Sequence, residues 1–539
     1  MSLAKFSNSK LLHSSFFYLV VSLSLSAVTH IWNPIGFPTV HTDEGHYMLR
    51  TMHVLEGLGP QEPKNIFTKP FDHPYFGQIF LAAALGLSGY PASQSPSKVN
   101  IHSIELIFFV PRVLLGILAI IDTFFVYKIA ERRYTNQKIA FIASVLFAVM
   151  PITWILRRVY LDNLLLPLLL CSVLFALYLK KSSRKNISID SSRNLRINYN
   201  GNITISLISG IFLGLAIFTK IPVFSLIPIV AYLIFTKSNK SFKALGIWFL
   251  PVILIPLIWP TYAMYIGEFE VWQDNVLWQA TERVQVPLLD TMNHFLKIDP
   301  VLFVLSMAGI FFAIVKKDIL VLLWIFPYLI LLHVIGHVAY WHLVPILAPL
   351  CIGGARLIMA LISTTNRYTL GRMKPLLFPI MILIIVSFGL LSSITLISSN
   401  VTASYFQIIA FLANYLPNNN QTPNDNTVTL VGGRWLPGFS WILTYIFDND
   451  VDFKKFYTNS KVKTGKVLLI VDNDFRRFLS SGEHNSNIET TQAIYNNTKN
   501  ITEFKEEPNH FQTKNYPYNA MDIVKRQTLL APVEIRADY

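Results

Sequence analysis

Two adjacent carboxylates, Asp43 and Glu44, stand in HTDEGHYMLRTMHVLEGLG, just after the first long apolar stretch of the chain. A carboxylate at a membrane surface costs solvation energy unless it has partners or work to do. One kind of work is to take the proton of an attacking hydroxyl, typically worth about 10²–10⁴ in rate. A third acid, Asp162, follows Arg157 and Arg158 in WILRRVYLDN. Two further cations, Lys220 in FTKIP and Arg283 beside Glu282, lie in other loops. Arginine and lysine stabilise charge that builds on a departing phosphate. Together these types point to an acid–base step on a phosphate-bearing partner. Asp43 and Glu44 cannot share a helix face, so one can act while the other pairs or caps. The structural alternative for the arginines is a pair with Asp162, extended toward lipid headgroups.

His41, His46, His53 and His73 crowd the same first loop, close in sequence to Asp72. They could hydrogen-bond a phosphate, tune the acids, or join Asp72 or Glu44 at a metal. In HVIGHVAYWHLVP, His333 and His337 are one helical turn apart with His342 shortly after, a possible metal pair for which the sequence supplies no third ligand. No cofactor is required by this chemistry, and a divalent metal stays open. The two cysteines, Cys171 and Cys351, fall inside apolar stretches and offer no disulfide framework.

The elements that must position these groups are membrane spans. Of the 539 residues, 53% are hydrophobic and only 14% charged, a depletion that excludes an ordinary soluble domain. About eleven stretches approach the roughly 20 residues a crossing requires. They run near 11–32, 106–130, 138–154, 161–179, 203–219, 222–236, 243–264, 300–315, 318–335, 341–362 and 375–398. The net charge of +14 could suggest nucleic acid, but its distribution does not. With the N-terminus inside, alternate loops hold about twenty lysines and arginines against about nine on the other side, tail excluded, as the positive-inside rule demands. Arg157, Arg158, Lys220 and Arg283 are exceptions to that rule, at the level of Asp43 and Glu44.

The predicted fold is mainly α. A polytopic membrane domain spans 1–399, with interfacial helices in a long first outer loop at 33–105: an amphipathic helix carrying the acids, and the short apolar stretch QIFLAAALGLSG. A small α/β domain on the outer face occupies 400–539. Its strand-like runs are 427–433 and 466–472, with a helix-like or buried-strand run at 439–447 and a frayed Asn-rich stretch near 485–515. Asn400, Asn420, Asn496 and Asn500 begin N-x-S/T sequons in this tail.

Several motifs occur in a family order: Asp43-Glu44 with Tyr47; Asp72-His73-Pro74 leading to Gly89; PRVLLG at 111–116; RRVYLDNLLL at 157–166; GLAIFTKIP at 214–222; and YWHLVPILAP at 340–349. Over about 40–365 the chain resembles glycosyltransferases of the GT-C superfamily, in particular dolichyl-phosphate-mannose protein mannosyltransferases and bacterial lipid A aminoarabinose transferases. The resemblance implies a multi-pass membrane enzyme that takes one sugar from a polyprenyl- or dolichyl-phosphate carrier on the non-cytoplasmic side. It passes that sugar, with inversion, to a lipid, glycan or protein acceptor. Asp43 then becomes the base or acceptor-orienting carboxylate, with Glu44 beside it and Asp162 the acid of the second outer loop. Arg157 or Arg158 and Lys220 become cations for the carrier phosphate. Tyr340, with His342 in the same motif, lies near the lipid-phosphate groove. Two positions depart from the family. His46 stands where aminoarabinose transferases carry a basic residue, and His73-Pro74-Tyr75 replaces a Lys-Pro-Pro step, so phosphate contacts there would fall to histidines and depend on pH. The 265–299 loop is also too short for the lumenal domain of the protein mannosyltransferases. The oligosaccharyltransferase branch would carry Trp-Trp-Asp in its soluble domain, and no Trp-Trp occurs here. A transporter or flippase for an anionic lipid or solute is the alternative. It predicts ionisable groups near the bilayer midplane, where Asp122 is the main exception.

Overall fold

The computed structural model describes residues 2–60, 70–90, 101–179, 191–283, 285–368, 376–398, 400, 402–419, 428–433, 436–447, 451–455, 467–480, 486–505 and 532–538. All eleven apolar stretches are helical. In chain order the helices of the first 400 residues are α1 (Ser2–Ile31), α2 (Thr42–Leu55), α3 (Phe76–Gly86), α4 (Ile101–Tyr134), α5 (Gln137–Val149), α6 (Leu161–Tyr178), α7 (Ser191–Thr219) and α8 (Ile227–Lys237). They continue as α9 (Phe242–Tyr265), α10 (Phe269–Thr281), α11 (Leu288–Ile298), α12 (Pro300–Val315), α13 (Ile319–Ile335), α14 (Val344–Tyr368) and α15 (Leu377–Ile397). Among the described residues, six helices are long and apolar enough to cross a membrane, or up to seven if one bent pair is a single span. The other apolar stretches form shorter helices, including Ser15–Ile31, Ile221–Lys237, Pro300–Val315 and Ile319–Ile335.

Proline decides where two of these elements break. The stretch expected as one helix over 138–154 stops at Val149, because Pro151 has no N–H and forces Met150 out of the helical region (ψ 137°). A 3₁₀ helix, Pro151–Arg157, follows at 67° to α5 and carries Arg157 into the protein. In FTKIP, α7 ends at Thr219, Lys220 is extended (φ −156°, ψ 119°), and a 3₁₀ turn starts at Ile221 with Pro222 in its first turn.

α2 differs from the interfacial helix predicted for it. Its acids do lie in the first turn, but Glu44, Gly45 and every residue from Tyr47 to His53 are buried. The cover comes partly from the tail. Helix α16 (Ala403–Asn419) leads to strand β1 (Val428–Gly432), and α17 (Leu436–Trp441) lies across α2. Gly45 and Gly438 pass backbone to backbone there, and a Cβ on Gly45 would collide with the Gly438 carbonyl. The stretch at 439–447 is therefore helical, closing in a π-helical turn at Ile442–Ile446.

The tail sheet adds β2 (Val451–Lys455), β3 (Val467–Val471), β4 (Lys499–Phe504) and β5 (Val533–Ala537) in the order β2-β1-β3-β5-β4. β1 is parallel to β2 and β3, while β5 is antiparallel to β3 and β4. β1 and β3 are buried at every position, which suits central strands covered on both faces. Leu430, Leu468 and Ile470 join the main apolar core. Val431, Leu469 and Val471 face the other way, against helices α18 (Asn473–Ser480) and α19 (Ser486–Asn497). The Asn-rich stretch predicted as frayed is thus regular over 486–504. Its remainder, 506–515, lies outside the described residues.

Replacing Gly45 with Ala overpacks the α2–α17 contact, at a cost of about 1–3 kcal/mol. Thermal unfolding in detergent should show a lower Tm for Gly45→Ala and for Gly438→Ala, and an unchanged Tm in both would deny the close approach.

Candidate active site

The two carboxylates of the first loop have different environments. Glu44 is fully buried and gripped by Arg112, whose Nε donates to Oε2 at 3.1 Å and whose Nη2 donates to Oε1 at 3.0 Å. The Val159 N–H donates to Oε2 at 3.1 Å, and the His41 N–H donates to Oε1 at 3.1 Å, capping α2. Arg158 Nε lies 3.9 Å away. Burial opposes ionisation of Glu44, but Arg112 and Arg158, with the hydrogen bonds from Arg112 and Val159, hold its carboxyl below its ordinary value. Glu44 is the pairing and capping member.

Asp43 is the open one, with 38% of its side chain accessible against none for Glu44. Burial again works against ionisation, yet His41, His46, Lys220 and His73 keep the carboxyl below its usual value. Asp43 is therefore an anion at neutral pH and able to accept a proton or a hydrogen bond.

Six of the residues singled out from sequence, Asp72, His73, Lys220, Arg283, His337 and His342, line one cavity of about 280 Å³. Ile221, Phe224, Trp259, Leu331 and Leu332 supply an apolar wall. Lys220 Nζ donates to Asp162 Oδ2 at 2.6 Å, which ties the third acid to the cavity. Asp162 Oδ1 is buried with no hydrogen-bond partner among the described residues. Asp72 accepts from Arg50 Nη1 at 2.6 Å. Burial, then Lys220, Arg50 and Arg283, push His73 down to about 4 against the pull of Asp72, so it lines the cavity as neutral imidazole. Arg283 pairs with no carboxylate among the described residues and remains available for an anion.

An aromatic bed adjoins the acids. His41 packs edge-on against Tyr160 and Trp341 at 5.7 and 5.2 Å, and Trp341 against Tyr340 at 5.1 Å. The Arg158 guanidinium lies over Trp154 at 5.1 Å and donates to the Tyr160 hydroxyl at 2.7 Å. Tyr47, near His73 at 6.3 Å between centroids, is kept protonated by burial and then by Asp43, Asp72 and Asp162. His46 is half-buried and adds positive potential at Asp43 and Asp72.

Three expectations change. Arg157, expected at the carrier phosphate, is fully buried and donates to the carbonyls of Thr29, Trp32, Asn33 and Phe37. Neither it nor Arg158 pairs with Asp162, because Lys220 does. His333 and His337 are not one helical pair, because α13 ends at Ile335 and Gly336 caps it in the left-handed region (φ 68°). His333 is exposed while His337 reaches the cavity. Among the described residues no group of three or more His, Cys, Asp or Glu could hold a metal. Sequence reasoning missed Arg112 and Arg50. A lone arginine in the apolar PRVLLG stretch was a readable signal, since such a charge must find a buried partner.

No family model matches the sequence, and no curated protein matches it. Solved structures do. The oligosaccharyltransferase of Archaeoglobus fulgidus tethered with an acceptor peptide containing the NVT sequon is 10% identical, with a TM-score of 0.55 over 89% of this chain and 72% of that one. ArnT from Cupriavidus metallidurans bound to undecaprenyl phosphate is 14% identical, with a TM-score of 0.54 over 87% and 94%. The chain has the GT-C fold. Within that fold, Asp72 and His73 between α2 and α3, the Lys220 turn, the loop bearing Arg283 and His342 before α14 meet around one cavity.

Removing Arg112 leaves Glu44 buried and unpaired, at a cost of about 3–5 kcal/mol. Arg112→Leu should melt well below the parent, and Arg112→Leu with Glu44→Leu should recover much of the loss; no recovery would deny the pairing. The His73 proton acts in the opposite sense to a stabilising pair. Its pKa, about 4 when folded against 6.5 ordinarily, lets the unfolded chain bind the proton first. This share of stability is constant above pH 6.5 and is lost as pH falls toward 4. His73→Gln should flatten the fall of Tm across that window, and an identical profile would place the titration elsewhere.

Proposed function

We propose that the protein is an integral-membrane glycosyltransferase that moves one sugar from a polyprenyl- or dolichyl-phosphate carrier to an acceptor hydroxyl or phosphate. The observation that carries the reading is the cavity where Lys220, Arg283 and three histidines face an apolar wall beside an ionised Asp43. A carrier phosphate needs cations and its isoprenoid chain needs apolar surface, and both lie within one cavity. The GT-C fold supports the same class: one neighbour is bound to undecaprenyl phosphate, and an archaeal oligosaccharyltransferase was solved with a dolichol-phosphate.

In this reading Asp43 orients the acceptor group and takes its proton as the acceptor oxygen attacks the anomeric carbon. The bond from that carbon to the carrier phosphate breaks on the opposite face, which inverts the centre. Lys220, held by Asp162, and Arg283 stabilise the charge gathering on the departing phosphate. Tyr340 and Trp341, half-buried beside the buried Tyr160, offer ring faces for the sugar. Chemistry takes place on the extracytoplasmic side, with the N-terminus inside and the tail domain outside. His73 in the cavity and His46 near Asp43 serve where the family's Lys-Pro-Pro and basic positions would.

The test uses purified protein in nanodiscs with polyprenyl-phosphate-linked mannose, glucose or aminoarabinose and an acceptor-rich membrane extract. Mass spectrometry follows the released carrier phosphate. Release from one donor is expected, and Asp43→Asn should slow it by about 10²–10⁴ while donor binding persists. Full turnover by Asp43→Asn would remove that carboxylate from the chemistry, and no release from any donor would favour the transport reading.

A further inference from the structure

The tail sequons were uninformative as sequence, but the structure ranks them. A transferase that glycosylates asparagine must reach both the carboxamide and the hydroxyl two residues on. Asn400 is exposed, but the hydroxyl of Thr402 is buried and donates to the carbonyls of Ile35 and Gly36. Asn496 is exposed and its side-chain Oδ1 accepts from Gln492 Nε2, but Thr498 is 2% exposed, its hydroxyl donating to the Tyr495 carbonyl and accepting from Arg536. Asn420 lies outside the described residues.

Asn500-Ile501-Thr502 differs on each count. It lies on β4, which among the described residues pairs only with β5 and so forms an edge of the sheet. Asn500 is exposed, Thr502 is half-buried, and neither side chain is hydrogen-bonded to a described residue. The register shifts between Asn500 and Thr502, opposite Arg536 and Ile535, so the ladder is interrupted within the sequon itself. A bulge of this kind loosens and re-aims an edge strand.

We propose that Asn500 is an N-glycosylation site, modified by a membrane oligosaccharyltransferase from a lipid-phosphate-linked glycan. A bond forms between Asn500 Nδ2 and the anomeric carbon of the glycan. The bond from that carbon to the phosphate oxygen breaks, the carboxamide gives one proton to a base on the transferase, and the lipid phosphate leaves. A glycan here would also block the free edge of β4, where an unpaired row of backbone groups otherwise invites pairing with another chain. The proposal requires the tail to face outside, and it does not depend on the enzyme's own donor.

The experiment is glycopeptide mass spectrometry on the protein from its native membranes, beside Asn500→Gln and Thr502→Ala. Glycan mass is expected on Asn500, with loss in both variants and little or none on Asn400 and Asn496. An unmodified Asn500 overturns the proposal, as does equal occupancy of Asn400 or Asn496. Labelling of Asn500→Cys with a membrane-impermeant maleimide then separates the causes. Labelling from outside means that the site is wrong; protection in intact cells with labelling after lysis means that the sidedness is.

Discussion

Three segments of the membrane domain meet because of one buried ion pair. Glu44 in the first turn of α2 and Arg112 in α4 are both fully inaccessible, and each has further partners. Arg112 Nη1 reaches the carbonyls of Pro34 and Pro38, and Glu44 takes the N–H of Val159 beyond the bent 3₁₀ helix. A buried charge pair is tolerated only when its remaining donors and acceptors are also satisfied, because desolvation otherwise exceeds the attraction. That condition fixes the loop before α2, the helix α4 and the turn after Arg158 in one arrangement. The orientation of Asp43 follows, since it is held one residue away from a side chain that cannot move.

The cations around this clamp separate by accessibility rather than by type. Arg157 satisfies four carbonyls at the end of α1 and the loop that follows, and so acts as backbone glue. Arg158 bridges Glu44 and the aromatic bed. Lys220 and Arg283 reach the cavity, the first where helix α7 ends at Thr219 and the second from the loop after α10. Prolines at 151 and 222 explain why polar side chains can be presented here at all. Each ends the regular hydrogen-bond ladder near one end of an apolar segment, where a cation would otherwise continue along a helix surface.

Much of this was legible in the sequence. The apolar stretches, the acids at the start of α2, the α/β character of the tail and the charged and histidine residues that line the cavity were all readable from residue type and spacing. Carboxylates and cations that break the charge pattern of a membrane protein are expensive, so they mark places with a purpose. The sequence could not divide their labour. Asp43 and Glu44 are equivalent in one dimension, and so are Arg157 and Arg158.

The chain by itself determined the membrane class, the periodicity of its elements and the inventory of chemical groups, because these depend on local composition and spacing. Only the tertiary structure decided which acid is gripped and which is open, that Lys220 rather than an arginine pairs with Asp162, and that α17 covers α2. It also separated His333 from His337 by ending α13 at Gly336. Those outcomes depend on contacts between residues up to hundreds of positions apart, where burial and hydrogen-bond satisfaction are properties of the packed whole and have no counterpart in a linear pattern.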